Sequence, residues 1–175
     1  SIDKGWIKVN KFMETSVPNL YAVGDVVGPP WLAHVASAEG ITAAEHLAGI
    51  KTESMQYNNI PGCTYCHPEV ASVGLNQDVA EEKYGKEAIK TYEYNLGGNG
   101  KSQILSTTGF IKLVSLVDGP VVGLHMVGSR MGEQIGEAEL IYNWEALPED
   151  VASLLHAHPT QNEALGEAHL ALAGK

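Results

Sequence analysis

With 175 residues the chain can bury one good core, or one domain and part of another. A hydrophobic share of 44%, a net charge of −10 and no basic block describe a globular protein and exclude nucleic-acid binding as its main activity. No window is apolar enough to span a bilayer, and two cysteines without an export signal over Ser1–Gly5 point to a reducing, cytoplasmic setting.

Asp3-Lys4-Gly5 is a turn, and Trp6–Val9 after it reads as a strand with no evident partner nearby. No methionine opens the chain, so it reads as a piece of something longer. Leu20-Tyr-Ala-Val23 is expected to be a short strand buried on both faces. It ends at Gly24-Asp25, where backbone can approach a ligand and a carboxylate emerges at a strand's carboxyl end, a position suited to ribose or ribitol hydroxyls. After Pro29-Pro30, residues 31–48 are predicted helical, and Leu32, Ala33 and His34 would offer free N–H groups at its start. The polar run Gly49–Asn59 is a linker, placing a boundary between residues 1–57 and 58–175.

Beyond it, Cys63–Gly74 reads as a strand with turns, and Asn76 caps a helix over Gln77–Tyr84 that stops at Gly85. Strands are expected at Ala88–Tyr94, Gly109–Leu116 and Val121–Val127, with a loop over Leu96–Ser102 and a hairpin turn at Asp118-Gly-Pro120. Met131–Asn143 is helical, and a short helix from Leu147 reaches His156. The fold class is α+β: helices packed on an antiparallel sheet of three to five strands, preceded by a remnant of an α/β nucleotide-binding domain. Cys63-x-x-Cys66 lies in strand-like flanks, where thiols three apart point to opposite faces, so it reads as structural rather than redox-active. A metal site joining His156 and His158 to either cysteine has too few ligands, and none is expected.

The stretch that bears chemistry is His156-Ala-His-Pro-Thr-Gln-Asn-Glu163, at the entry to a last helix that runs to Gly174. Glu163 stands five residues past His158, within reach of its ring. A carboxylate on one imidazole nitrogen fixes the tautomer and raises the basicity of the other, which makes a general acid–base. Thr160-x-x-Glu163 also reads as a plain capping box. Apolar stripes on Met131–Asn143 and the last helix favour a second possibility, an interaction module with no catalytic role.

Taken together, four ordered motifs resemble the flavoprotein disulfide reductases, the pyridine nucleotide-disulfide oxidoreductase family. They are Thr15-x-x-Pro-x-Leu-Tyr-Ala-x-Gly24-Asp25, Leu32-Ala33-His34, His67-Pro-Glu-Val-Ala-Ser-Val-Gly74 and His156-Ala-His-Pro-Thr-x-x-Glu163. The third motif and the His-Ala-His-Pro form are closer to the branch acting on dihydrolipoamide than to glutathione reductases. The resemblance implies that Asp25 holds the ribitol of FAD, and that Ala33, with Leu32 and His34 beside it, meets the flavin's pyrimidine side. It implies that His158 is the acid–base and Glu163 its orienting partner, acting across a homodimer whose interface is residues 58–175, with a cis His-Pro bond. The implied reaction is oxidation of dihydrolipoamide on the lipoyl domains of a 2-oxoacid dehydrogenase complex, with NAD+ as acceptor. The chain departs from the family in lacking both Gly-x-Gly-x-x-Gly fingerprints and the catalytic Cys-x4-Cys disulfide. It therefore reads as the C-terminal third of such an enzyme, inactive alone and unable to retain FAD.

Overall fold

Lys4 and Gly5 take φ of 50° and 93°, the left-handed pair that a two-residue hairpin turn requires. The turn folds Ile2–Asp3 (β1) back on Trp6–Ile7 (β2). The strand expected over Trp6–Val9 thus has a partner, immediately upstream, and is shorter than its pattern suggested. The computed structural model describes residues 1–175, which divide into two units, Ser1–Tyr57 and Asn58–Lys175.

In the first unit the expected strand at Leu20–Val23 does not form. Tyr21 makes one isolated bridge, to Glu14, and Leu20 and Val23 are exposed. A strand buried on both faces needs neighbouring strands and covering helices, and this unit has only the small hairpin and one long helix. Gly24–Val27 is accordingly a 3-10 turn rather than a strand end. The long helix, α1, spans Ala33–Leu47 and buries Val35, Glu39, Thr42 and Ala43, spaced as one helical face.

The second unit is built on five antiparallel strands. These are β3 (Gly62–Thr64), β4 (Glu69–Gly74), β5 (Ile89–Asn95), β6 (Phe110–Leu116) and β7 (Val121–Gly128), in the order β3-β4-β7-β6-β5. α2 (Gln77–Tyr84) starts where Asn76 accepts from the Val79 amide at 2.9 Å and ends at Gly85, φ 88°. α4 (Met131–Asn143) follows β7 directly. Two differences from expectation matter for the site. The presumed loop 96–102 holds a 3-10 turn and a short helix, α3 (Gly100–Ile104), capped by Asn99; three glycines in six residues hid it. The helix from Leu147 is only Pro148–Ala152 (α5), leaving His156 in an irregular run before α6 (Glu163–Leu172).

Alternation along the strands sorts the core into two layers. On one face Ala71, Val73, Ile111, Leu113, Leu124 and Met126 pack with the inner residues of α4 and α6; on the other, Val114 and Val122 meet Ala80 of α2. Ala164, Leu165, Ala168 and Leu172 of α6 are all buried in this way. The apolar stripe expected to lie open on the last helix is therefore covered within the chain. The exposed large apolar side chains include Leu140 on α4, Trp144 just after it, and Leu154 and Leu155 after α5. No helix is long and apolar enough to cross a membrane.

Candidate active site

α6 begins at Glu163, and its first residue sends its carboxylate back over the preceding turn. Oε1 accepts from His158 Nδ1 at 2.8 Å and Oε2 accepts from the Thr160 amide at 2.8 Å. Of the capping box, only the glutamate half forms; the Thr160 hydroxyl donates to the Ala157 carbonyl at 2.6 Å. One side chain therefore makes both contacts that the sequence left as alternatives, with one oxygen for each. These two donors hold the Glu163 carboxyl below the usual carboxylate range, the Thr160 amide contributing most and His158 next.

An ionised carboxylate can only accept, so the ring nitrogen facing it carries a proton, and in the neutral ring Nε2 presents the lone pair. The His158 side chain is 75% exposed and Glu163 only 25%, so the imidazole stands out from a fixed anchor. The His158–Pro159 bond is cis. A Cβ on Gly100, the first residue of α3, would come to 3.5 Å from His158 Cε1, so α3 lies alongside the ring.

The turn is pinned from both sides. From α3, Asn99 Nδ2 donates to the Thr160 carbonyl at 3.0 Å and Ser102 Oγ to Gln161 Oε1 at 2.7 Å, while Gln161 Nε2 reaches the Ser129 carbonyl at 3.0 Å. All three side chains are buried and paired, as most buried polar groups are. From α4, Glu137 accepts from His156 Nε2 at 2.7 Å and from Asn162 Nδ2 at 2.6 Å. Sequence reasoning missed Glu137, Asn99 and Ser102, which lie 19 to 61 residues from the groups they hold. His169 is fully buried on α6 with Nδ1 donating to the Leu165 carbonyl at 2.6 Å, and burial pushes its pKa down.

The remaining expected residues lie in the first unit. The Gly24 amide donates to Glu39 Oε2 at 2.6 Å, and Tyr57 donates to Glu39 Oε1 at 2.8 Å, so a buried glutamate ties the Gly24–Asp25 turn to α1. That pairing with Glu39, together with burial, raises the Tyr57 pKa to about 12, burial being the larger cause. Asp25, Ala33 and His34 are exposed and Leu32 is half-buried; Leu32 precedes α1 without a side-chain cap. A bare carboxylate beside an uncapped helix start fits the hydroxyls and the electron-rich edge of a flavin. Cys63 sits on β3 but Cys66 lies in the loop after it, so the expectation of two thiols on one strand is corrected; both are free thiols. No three His, Cys, Asp or Glu side chains converge as a metal site would require.

Residues 60–169 match the dimerisation domain of the pyridine nucleotide-disulphide oxidoreductases, and residues 2–40 match a further family model described as pyridine nucleotide-disulphide oxidoreductase. The dihydrolipoyl dehydrogenase of Bacillus subtilis is 40% identical over 175 residues, covering 99% of this chain and 36% of that protein. The Corynebacterium glutamicum enzyme of that name is 38% identical, covering 98% and 37%, and the human mitochondrial one is 38% identical, covering 96% and 33%. Among solved structures, LpdA from Mycobacterium tuberculosis superposes with a TM-score of 0.86 at 25% identity, over 95% of this chain and 36% of its own. The flavoprotein disulfide reductase RclA from Escherichia coli shares the fold, with a TM-score of 0.89 at 18% identity over 97% of this chain and 39% of its own. The chain thus spans little more than a third of the relatives it matches. With the dimerisation-domain match running through the turn that carries His158 and Glu163, the chain belongs to the pyridine nucleotide-disulphide oxidoreductase family.

Proposed function

We propose that these 175 residues are the C-terminal portion of a homodimeric flavoprotein that oxidises protein-bound dihydrolipoamide with NAD+. On this reading residues 1–57 complete a nucleotide-binding region, residues 58–175 form the subunit interface, and His158 with Glu163 is the acid–base pair. The observation that carries the reading is the 2.8 Å contact between His158 Nδ1 and the Glu163 carboxylate, with the ring otherwise projecting from the surface.

The chemistry follows from that contact. Nε2 takes the proton from one dihydrolipoyl thiol as its sulfur attacks a disulfide outside these residues. The S–H bond breaks, a mixed disulfide forms, and the other sulfur leaves as a thiolate. The second dihydrolipoyl thiol then displaces the mixed disulfide, leaving lipoamide and an enzyme dithiol. Glu163 stabilises the imidazolium while His158 holds the proton, a role worth about 100- to 10,000-fold in rate for a positioned group. Asp25 and the start of α1 would hold FAD, which when bound passes the two electrons from the dithiol to NAD+. Leu140, Trp144, Leu154 and Leu155 supply apolar surface for the subunit contact.

The lipoyl substrate is supported by the names of the relatives near 40% identity. The full-length protein should turn over dihydrolipoamide with NAD+ and leave glutathione disulfide with NADPH essentially untouched. Faster turnover of glutathione disulfide would move the chain to another branch of the family.

A further inference from the structure

Glu137 lies on α4, 19 residues before His156 and 25 before Asn162, yet its carboxylate takes a hydrogen bond from each. Those two residues bracket the turn that carries His158. The His156 ring is held on its other side as well: a Cβ on Gly166 of α6 would fall 2.7 Å from Nδ1 and 3.1 Å from Cε1. The His156 side chain is only 12% exposed and Glu137 27%, so the pair is shielded from competing water. An imidazole bonded to a carboxylate and packed against a helix backbone is held in place, and the single residue between it and His158, Ala157, leaves little chain to absorb a tilt. Glu163 fixes the tautomer of His158, but it cannot fix where the whole turn points, since both sit at the same end of α6.

We infer that Glu137 is a positioning residue for the acid–base pair, clamping the two flanks of the His158 turn to α4 so that the imidazole is presented in one direction. The inference rests on the acid–base reading of His158 and Glu163. Neither His158 nor Glu163 hydrogen-bonds to Glu137, so its effect passes through His156 and Asn162. The carboxylate suits the task because it offers two acceptors to two donors; alanine offers none, and glutamine keeps one acceptor while Asn162 can turn its amide oxygen to the new N–H.

The test is a double-mutant cycle in the full-length enzyme, with turnover of dihydrolipoamide expressed per bound flavin. Glu137→Ala should lower kcat by about ten- to a hundredfold, the scale of a misplaced catalytic group, and Glu137→Gln should restore most of it. In a Glu163→Gln background, Glu137→Ala should cost less than about twofold, because residues acting as a unit are not additive. Losses that multiply would make Glu137 merely structural and overturn the inference. So would wild-type turnover in Glu137→Ala. If Glu163→Gln alone leaves turnover intact, the acid–base reading itself fails first, which is a distinct result. Should Glu137→Ala not fold, Asn162→Ala removes one of the two clamps and must show the same non-additivity.

Discussion

Replacing Glu163 by glutamine changes no shape and one charge, and its effect can be worked through donor by donor. The wild-type carboxylate accepts from two groups, His158 Nδ1 and the Thr160 amide, each at 2.8 Å. A glutamine has one accepting and one donating end. The Thr160 amide can only donate, so it claims the glutamine oxygen and the cap survives. The –NH2 is then left against His158 Nδ1, which must become an acceptor. That moves the ring proton to Nε2, the nitrogen needed to take a proton from substrate, and removes the anion that stabilises the imidazolium. Turnover should fall by about a hundredfold or more, within the range for losing a general base. In the full-length enzyme, where both are measured, the melting temperature should move by no more than about 4 °C, since a small change shifts a larger protein less. Steady-state assays with dihydrolipoamide and NAD+, beside thermal unfolding of the same preparation, read both. Parallel loss of activity and stability would show that Glu163 serves the helix and not the histidine, and unchanged turnover would refute the reasoning outright.

Gly166→Ala should destabilise by about 1–3 kcal/mol, as overpacking at a crowded site does, since the added methyl would meet His156 Nδ1 at 2.7 Å; an unchanged unfolding midpoint would contradict the packing described. Stability should also fall with acid. His169 has a lowered pKa in the fold, so below about 6.5, the unfolded value, the unfolded chain binds the proton more readily. Glu163 is lowered too, and its contribution, present above the unfolded carboxylate value, is lost as pH falls through its folded value. His169→Phe should therefore flatten the decline in melting temperature between about pH 7 and 5, and an identical slope would place the cause elsewhere. The 175-residue polypeptide alone should neither oxidise dihydrolipoamide with NAD+ nor stay yellow through gel filtration; either result would mean that groups within it suffice for more than proposed.

What the sequence made legible was local. His158, Thr160 and Glu163 lie within six residues, so spacing alone brings the ring, the amide and the carboxylate together. Asn76 capping α2 and the alternation along β6 are equally local signals. The clamps were not legible: Glu137 is one of three acidic residues among the thirteen of α4, and only tertiary packing distinguishes it from Glu133 and Glu139. Asn99 and Ser102 were hidden for a different reason, because Gly97, Gly98 and Gly100 read as loop while Asn99 caps a helix too short to have a period. In the first unit the pattern at Leu20–Val23 is that of an interior strand, and the hydrophobic signal cannot say whether neighbouring strands are there to receive it. Buried charge behaved the same way, since Glu39 looks like an ordinary helix-surface residue until Gly24 and Tyr57 close on it.

Everything proposed for the site converges on one nitrogen, His158 Nε2. The direct test is His158→Gln in the full-length enzyme, measured as kcat with saturating dihydrolipoamide and NAD+, with flavin content and melting temperature checked alongside. The account predicts a fall of about a hundredfold or more at unchanged flavin content. Turnover within about twofold of the unmodified enzyme would mean the histidine moves no proton in the rate-determining chemistry, and would contradict it.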